Sequence, residues 1–501
     1  MFYEKDSQKD NRKITNVKNE KSIKLNFIMN ALLIISSFIF PLITFPYVSR
    51  VLLPEGTGKV SFATSVITYF SMFAQLGIPT YGIRACAKVR DNKEMLSRTV
   101  HELLFINLVM SFFAYGVFGI CLLTVPKLRM EKTLFLIMST TIFFNVIGVE
   151  WLYKGLEQYT YITVRSLVFK VIALFVTLCL VRKKSDYVIY GALTIMAASA
   201  SNILNFINAH KYIQIKPVGN YHVGRHIRSV LIFFAMSCAT VIYTNLDTVM
   251  LGFMKSDIDV GYYNAAVKIK TVLLGVVTSL GAVLLPRASY YIEHGMHEKF
   301  LSIAKKAIEF VFLIATPLMV YFILFAKEGV FFLSGLAYSG SIIPMQIIMP
   351  TLLFIGLTNI MGIQMLVPLG KEKIVLYSEI IGAIMDLILN FILIPKMASV
   401  GAAFGTLVAE MAVWIVQIVA LRSIVLDAYR EIHYKSILVA ILLGIIISGW
   451  VKCMSWGNFI SLFVSGILFF GIYLLALVVL KEPLICEIKG QVINMIIHKK
   501  S

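Results

Sequence analysis

Charge is what this chain has least of. Only 15% of its 501 residues are Asp, Glu, Lys or Arg, against about 25% in a soluble domain, while 58% are hydrophobic. That balance excludes a soluble protein with a large core. Strand-like alternation is also missing, which argues against a transmembrane barrel. The six cysteines (86, 121, 179, 238, 453, 486) stand singly and form no CxxC pair. Neither a disulfide framework nor a cysteine zinc site is encoded, and they read as small core hydrophobes. No Gly-x-Ser-x-Gly motif, paired catalytic carboxylates or long extramembrane loop appears, so the chain reads as no enzyme and calls for no cofactor.

Two stretches imitate known sites. PEGTGKV at 54–60 resembles a phosphate loop, but Leu53 stands where the first Gly belongs and Val60 where Ser or Thr should follow Lys59. His294 and His297 are one helical turn apart in a basic loop without a nearby third ligand, so they read as a solvated face, as do His222 and His226. No metal site is expected.

What the chain does have is apolar runs of about 20 residues, the length a helix needs to cross a bilayer, and a mean hydropathy of +0.83. This predicts an all-α polytopic membrane protein with fourteen transmembrane helices. They fall near 26–49, 60–83, 102–125, 133–152, 160–181, 187–209, 227–253, 262–285, 304–326, 342–366, 373–394, 400–421, 435–452 and 458–480. The net charge of +19 fits basic loops meeting anionic lipid better than nucleic acid, for which no basic soluble domain exists. About two-thirds of the 46 Lys and Arg fall on one side of this layout. That bias puts both termini in the cytoplasm of a cell-membrane protein. Residues 1–24 read as a retained basic tail rather than a signal peptide.

The chain also resembles itself. GTGKVSFATSV parallels VGYYNAAVKIK, with Gly58 on Gly261; LGIPTYGIRA from Leu76 parallels LGAVLLPRAS from Leu280; Gly191 falls on Gly401. Three weak matches at offsets of 203, 204 and 210 predict two parallel six-helix lobes around a central cavity, with a last pair appended. The expected divisions are 25–212, 213–425 and 426–480, with a cytoplasmic tail at 481–501.

Ionisable residues within spans are expensive and point to function. In the first lobe these are Arg50, Arg84, Arg165 and Lys170. Lys170 lies too deep to reach an interface easily, and the other three could snorkel. In the second lobe they are Asp247, Lys268, Lys270, Asp386 and Glu410. Asp247 and Lys268 could neutralise each other. Asp386 and Glu410, near the middle of neighbouring spans, would repel unless one held a proton. Between spans 4 and 5, Glu150, Lys154 and Glu157 recur at i, i+4, i+7 and form one polar stripe. Trp151, Tyr153, Tyr159 and Tyr161 beside them are the rings expected at a membrane interface. The stretch reads as a cytoplasmic mouth or a plain anchor.

PYVSRVLLPEGTGKVSFATS (46–65), EWLYKGLEQYTYITVRS (150–166), NLDTVMLG (245–252), GYYNAAVKI (261–269), GIQMLVPLGKEK (362–373) and LNFILIPKMASVGAAFGTLVAE (389–410) occur in an order that resembles the polysaccharide repeat-unit flippases. These are the Wzx-type branch of the MATE-like (MOP) exporter superfamily, and the likeness runs over roughly 22–480. Asp386 departs from the pattern, which often has Asn there. The resemblance implies a substrate of undecaprenyl-pyrophosphate-linked oligosaccharide, held in a cavity lined by the cations named above. It also implies membrane lipids and the pathway's polymerase and chain-length regulator as partners. A lipid II flippase has similar needs. A MATE-type exporter of cationic drugs would prefer an acidic cavity, and a membrane scaffold of a polysaccharide assembly would not depend on Lys170.

Overall fold

The computed structural model describes residues 3–454, 456–487 and 489–490, so the two ends of the expected tails, 1–2 and 491–501, lie outside the described residues. Helices and short turns make up the described chain, with no strand among the described residues. Among the described residues, eleven helices are long and apolar enough to cross a membrane, or twelve if a pair bent by 46° at Pro350 is one span. The all-helical polytopic class stands; the count of fourteen does not follow. The first two expected spans lie on either side of the break at Leu53 within one 61-residue candidate, Ile28–Lys88, and 262–285 is not among the candidates.

Local chemistry explains where the helices start and break. Helix α1 (Tyr3–Gln75) is interrupted at Leu53, φ 60°, the residue before Pro54, where the proline ring disfavours helical backbone. It ends at Leu76 and Gly77, both with positive φ, before α2 (Ile78–Lys88) begins with Pro79 in its first turn. Asn92 caps α3 (Lys93–Thr124) by accepting from the amides of Glu94 and Met95, each at 3.0 Å. Then follow α4 (Lys132–Ile147), the short α5 (Glu150–Gly155), α6 (Tyr159–Leu180), α7 (Tyr187–Ile195) and α8 (Gly224–Met254). A Ser256–Asp259 capping box opens α9 (Asp257–Glu293). The chain goes on through α10 (His297–Leu324), α11 (Glu372–Met397), α12 (Ser399–Ala420), α13 (Arg422–Glu431), α14 (Tyr434–Gly449) and α15 (Asn458–Val479).

The chain forms two compact units, residues 1–52 with 63–241, and 53–62 with 242–501. In the first, Ile78, Leu96, Val100, Leu103, Trp151 and Tyr153 pack one core. In the second, α14 and α15 are built into the main core through Ile441, Phe469 and Tyr473. The Tyr473 hydroxyl donates to the Leu313 carbonyl of α10 at 2.9 Å. Large apolar side chains face outward, with Phe112 at 79% and Val479 at 77% exposure, as expected where the surrounding solvent is hydrocarbon. Also inside the second unit, Gly58 and Gly261, paired above by sequence, meet backbone to backbone. A Cβ on Gly58 would lie 1.7 Å from the Asp257 carbonyl oxygen, and one on Gly261 2.1 Å from that of Pro54.

Candidate functional site

In the first unit, α1, α5, α6 and α7 enclose a cavity of about 580 Å³ whose lining includes Ser37, Thr44, Glu150, Lys154, Lys170 and Thr194. Lys170 is half-buried there and donates to the Ser36 and Ser37 hydroxyls at 2.8 and 2.9 Å. Both partners are neutral hydroxyls, so neither brings a countercharge to it. Lys154 pairs with Glu150 at 2.9 Å. One turn before Lys170, Arg165 is buried, with Nη2 3.9 Å from Glu150 Oε2; its Nε and Nη1 meet no acceptor. A buried guanidinium short of acceptors, beside a second cation, is suited to an anion.

The remaining cations do not join this cluster. Arg84 is exposed on α2, and Arg50 is exposed with its guanidinium turned to the Pro46 carbonyl of its own helix, at 2.5 Å. Lys268 and Lys270 are half-buried in the second unit, where the field of Lys270 falls on Glu410.

The predicted polar stripe is cut short. Helix α5 stops at Gly155 and Glu157 adopts φ 58°. Its carboxylate therefore turns to Arg90, 3.0 Å away, and only Glu150 and Lys154 reach the cavity. Trp151 and Tyr153 are not interfacial rings either. Both are buried, Trp151 under Gly82, and Tyr153 donates to the Asn205 carbonyl at 2.6 Å. The packing of α2 against α5 overrides their usual preference for the interface.

The second unit gathers acids. Asp247 on α8 accepts from Asn390 Nδ2 at 2.6 Å, from Thr406 Oγ1 at 2.9 Å, and from the Tyr263 hydroxyl. These neutral donors take the place expected for Lys268. The Asp386 side chain lies against Asp247, yet its Oδ1, like Asn390 Oδ1, meets no donor. Glu410 lies beside Tyr243. Two carboxylates in contact and out of water need a proton or a cation between them.

Three further features had little signal in the sequence. A second, uncharged cavity of about 250 Å³ in the first unit is lined by Thr64, Thr68, Ser71, Gln75 and Asn145. Such residues draw no notice in an apolar run. Glu102 opens an expected span but is buried, accepting from the His222 amide at 2.6 Å, Arg225 Nη2 at 2.6 Å and His226 Nε2 at 2.7 Å. His226 is thus buried rather than solvated, and its Nδ1 meets the Tyr81 hydroxyl at 2.8 Å. His294 and His297 are exposed, as expected.

Residues 23–292 match the polysaccharide biosynthesis protein family. The chain belongs to this family. Among its relatives is a protein of Escherichia coli K12 named for O-antigen transport. It is 25% identical over 407 residues, 81% of this chain and 98% of that one. A Shigella dysenteriae protein of the same name is 22% identical over 80% of this chain and 100% of its own. Among solved structures, the lipid II flippase MurJ in an inward closed conformation superposes with a TM-score of 0.70 at 16% identity, covering 91% of this chain and all of that one. An inward-facing multidrug MATE transporter gives 0.59 at 15% identity, covering 78% and 95%. The expectation of a polysaccharide-pathway membrane family is therefore borne out, and this member of the polysaccharide biosynthesis family is a multi-pass membrane protein that shares the fold of those two structures.

Proposed function

We propose that the protein moves undecaprenyl-pyrophosphate-linked oligosaccharide repeat units from the inner to the outer leaflet of the cytoplasmic membrane by alternating access, without catalysing a reaction. Both termini are cytoplasmic in this reading, and the polymerase and chain-length regulator of the pathway act next on the product. The observation that carries it is the cavity around Lys170. An isolated charge at the bilayer centre costs about 3 kcal/mol even on the mildest scale. Lys170 and Lys154 line a 580 Å³ space, and Arg165 lies beside it with two nitrogens lacking acceptors. That arrangement supplies the countercharge a pyrophosphate needs, while its lipid tail stays in hydrocarbon. The Asp247–Asp386 pair supports coupling to a proton or a small monovalent cation, since Asp386 Oδ1 and the neighbouring Asn390 Oδ1 are buried oxygens that meet no donor among the described residues.

The test is accumulation of lipid-linked repeat unit on the inner leaflet of cells carrying Lys170→Ala. Export should fall at least tenfold with the protein level in the membrane unchanged, and Lys170→Arg should restore part of it. Accumulation of lipid II instead would reassign the substrate. Normal export by well-expressed Lys170→Ala and Arg165→Ala would leave no role for the cationic cavity, as a scaffold requires.

A further inference from the structure

The last helix pair carries a feature unrelated to the transport reading. Just beyond α15, Lys481 takes φ 53° and turns the chain back, so that the Glu482 amide donates to the Leu477 carbonyl at 3.0 Å. Glu482 is thereby carried inside, at 1% exposure. Its Oε2 accepts from the Ile485 amide at 2.8 Å, but its Oε1 is buried with no donor among the described residues. What faces it is another acid. The Glu309 carboxylate of α10 meets that of Glu482, and His433, in the turn between α13 and α14, brings Nδ1 to 3.9 Å from Glu309 Oε1. One ligand atom from each of the three lies within 4.8 Å of the others.

The neighbouring lysines are engaged elsewhere. Lys306 Nζ binds Glu487 at 2.7 and 2.8 Å, and Lys305 Nζ binds Glu431 at 2.6 Å. Two acids facing each other, one of them buried, are unfavourable without a positive charge between them. Among the described residues no tethered ammonium occupies the gap, and an imidazole beside two carboxylates is a donor set for a borderline divalent ion.

We propose that Glu309, His433 and Glu482 bind a divalent transition cation of the Zn²⁺ type, which pins the C-terminal helix pair to α10. Bonds of about 2 Å would bring the ligand atoms to about 3.3 Å from one another. That closure needs only rotamer changes, which half-exposed His433 can make. The ion would tie together three segments that meet at one edge of the second unit's core: α10, the turn before α14, and the end of α15. No cysteine takes part, so the site is stable to oxidation.

The experiment uses the full chain, purified in detergent without a polyhistidine tag and stripped with EDTA. Zn²⁺ binding is followed by titration calorimetry, and the melting temperature is read with and without Zn²⁺. One Zn²⁺ per chain should bind and raise the melting temperature. His433→Ala and Glu309→Gln should each weaken binding at least tenfold and abolish the shift while melting normally without metal. His433 is exposed enough that its loss leaves packing intact. No stoichiometric Zn²⁺ uptake, or uptake undiminished in both variants, overturns the site. A Zn²⁺-indifferent protein that Glu309→Gln stabilises would show the acids sharing a proton instead. None of these readouts depends on transport.

Discussion

Two buried acids, one in each unit, make an instructive contrast. Glu102 in the first unit is surrounded by donors from the amide of His222 and the side chains of Arg225 and His226. Asp386 in the second is buried against another carboxylate, with one oxygen meeting no donor. The first arrangement is closed and holds the start of α8 and the turn before it against α3. The second is open, and an open buried carboxylate is a place for something that comes and goes. The cations differ in the same way. Arg225 is consumed by Glu102, whereas Arg165 and Lys170 keep capacity for a ligand. Burial and charge do not distinguish these two acids; hydrogen-bonding capacity left unfilled at Asp386 does.

The sharpest way to break this contrast is to remove both acids. Glu102→Ala should cost about 3–5 kcal/mol, because it strands the buried His226 and the Arg225 guanidinium; thermal unfolding in detergent would register it as a large fall in melting temperature. Asp386→Asn should melt no lower than the parent, since an amide can donate to Asp247. It should instead remove the dependence of export on the ion gradient, read as inner-leaflet accumulation with and without an ionophore. A variant that stays gradient-dependent would reduce Asp386 to a packing group. The smallest effect is expected for Arg84→Ala, less than twofold on export, because that side chain is exposed and outside the cavity.

Much of this architecture was legible before any coordinates. Apolar runs of membrane length are a strong signal, and the family motifs fall in order along the chain. Lys170 stood out because a lysine deep in a span has no bland explanation. Other features failed for identifiable reasons. The stripe through Glu157 assumed one helix, but the chain leaves helical geometry after Gly155. Trp151 and Tyr153 look interfacial by type and are core by packing. Pairing Asp247 with Lys268 rested on charge, while the partners chosen, Asn390, Thr406 and Tyr263, are neutral and up to 159 residues away. Hydroxyls and amides in apolar runs carry no one-dimensional signature of whom they will meet.

The contact of Gly58 with Gly261 has an effect on how this chain can change. Each glycine leaves room for the backbone that the other belongs to, so the two positions are a single constraint recorded at two places in the sequence. A methyl group at either one drives the segments apart by more than a side-chain shift can absorb. Once they are parted, the second methyl finds space already made, and the double substitution costs less than the sum of the singles. At this crossing, a change at either glycine is constrained by the other.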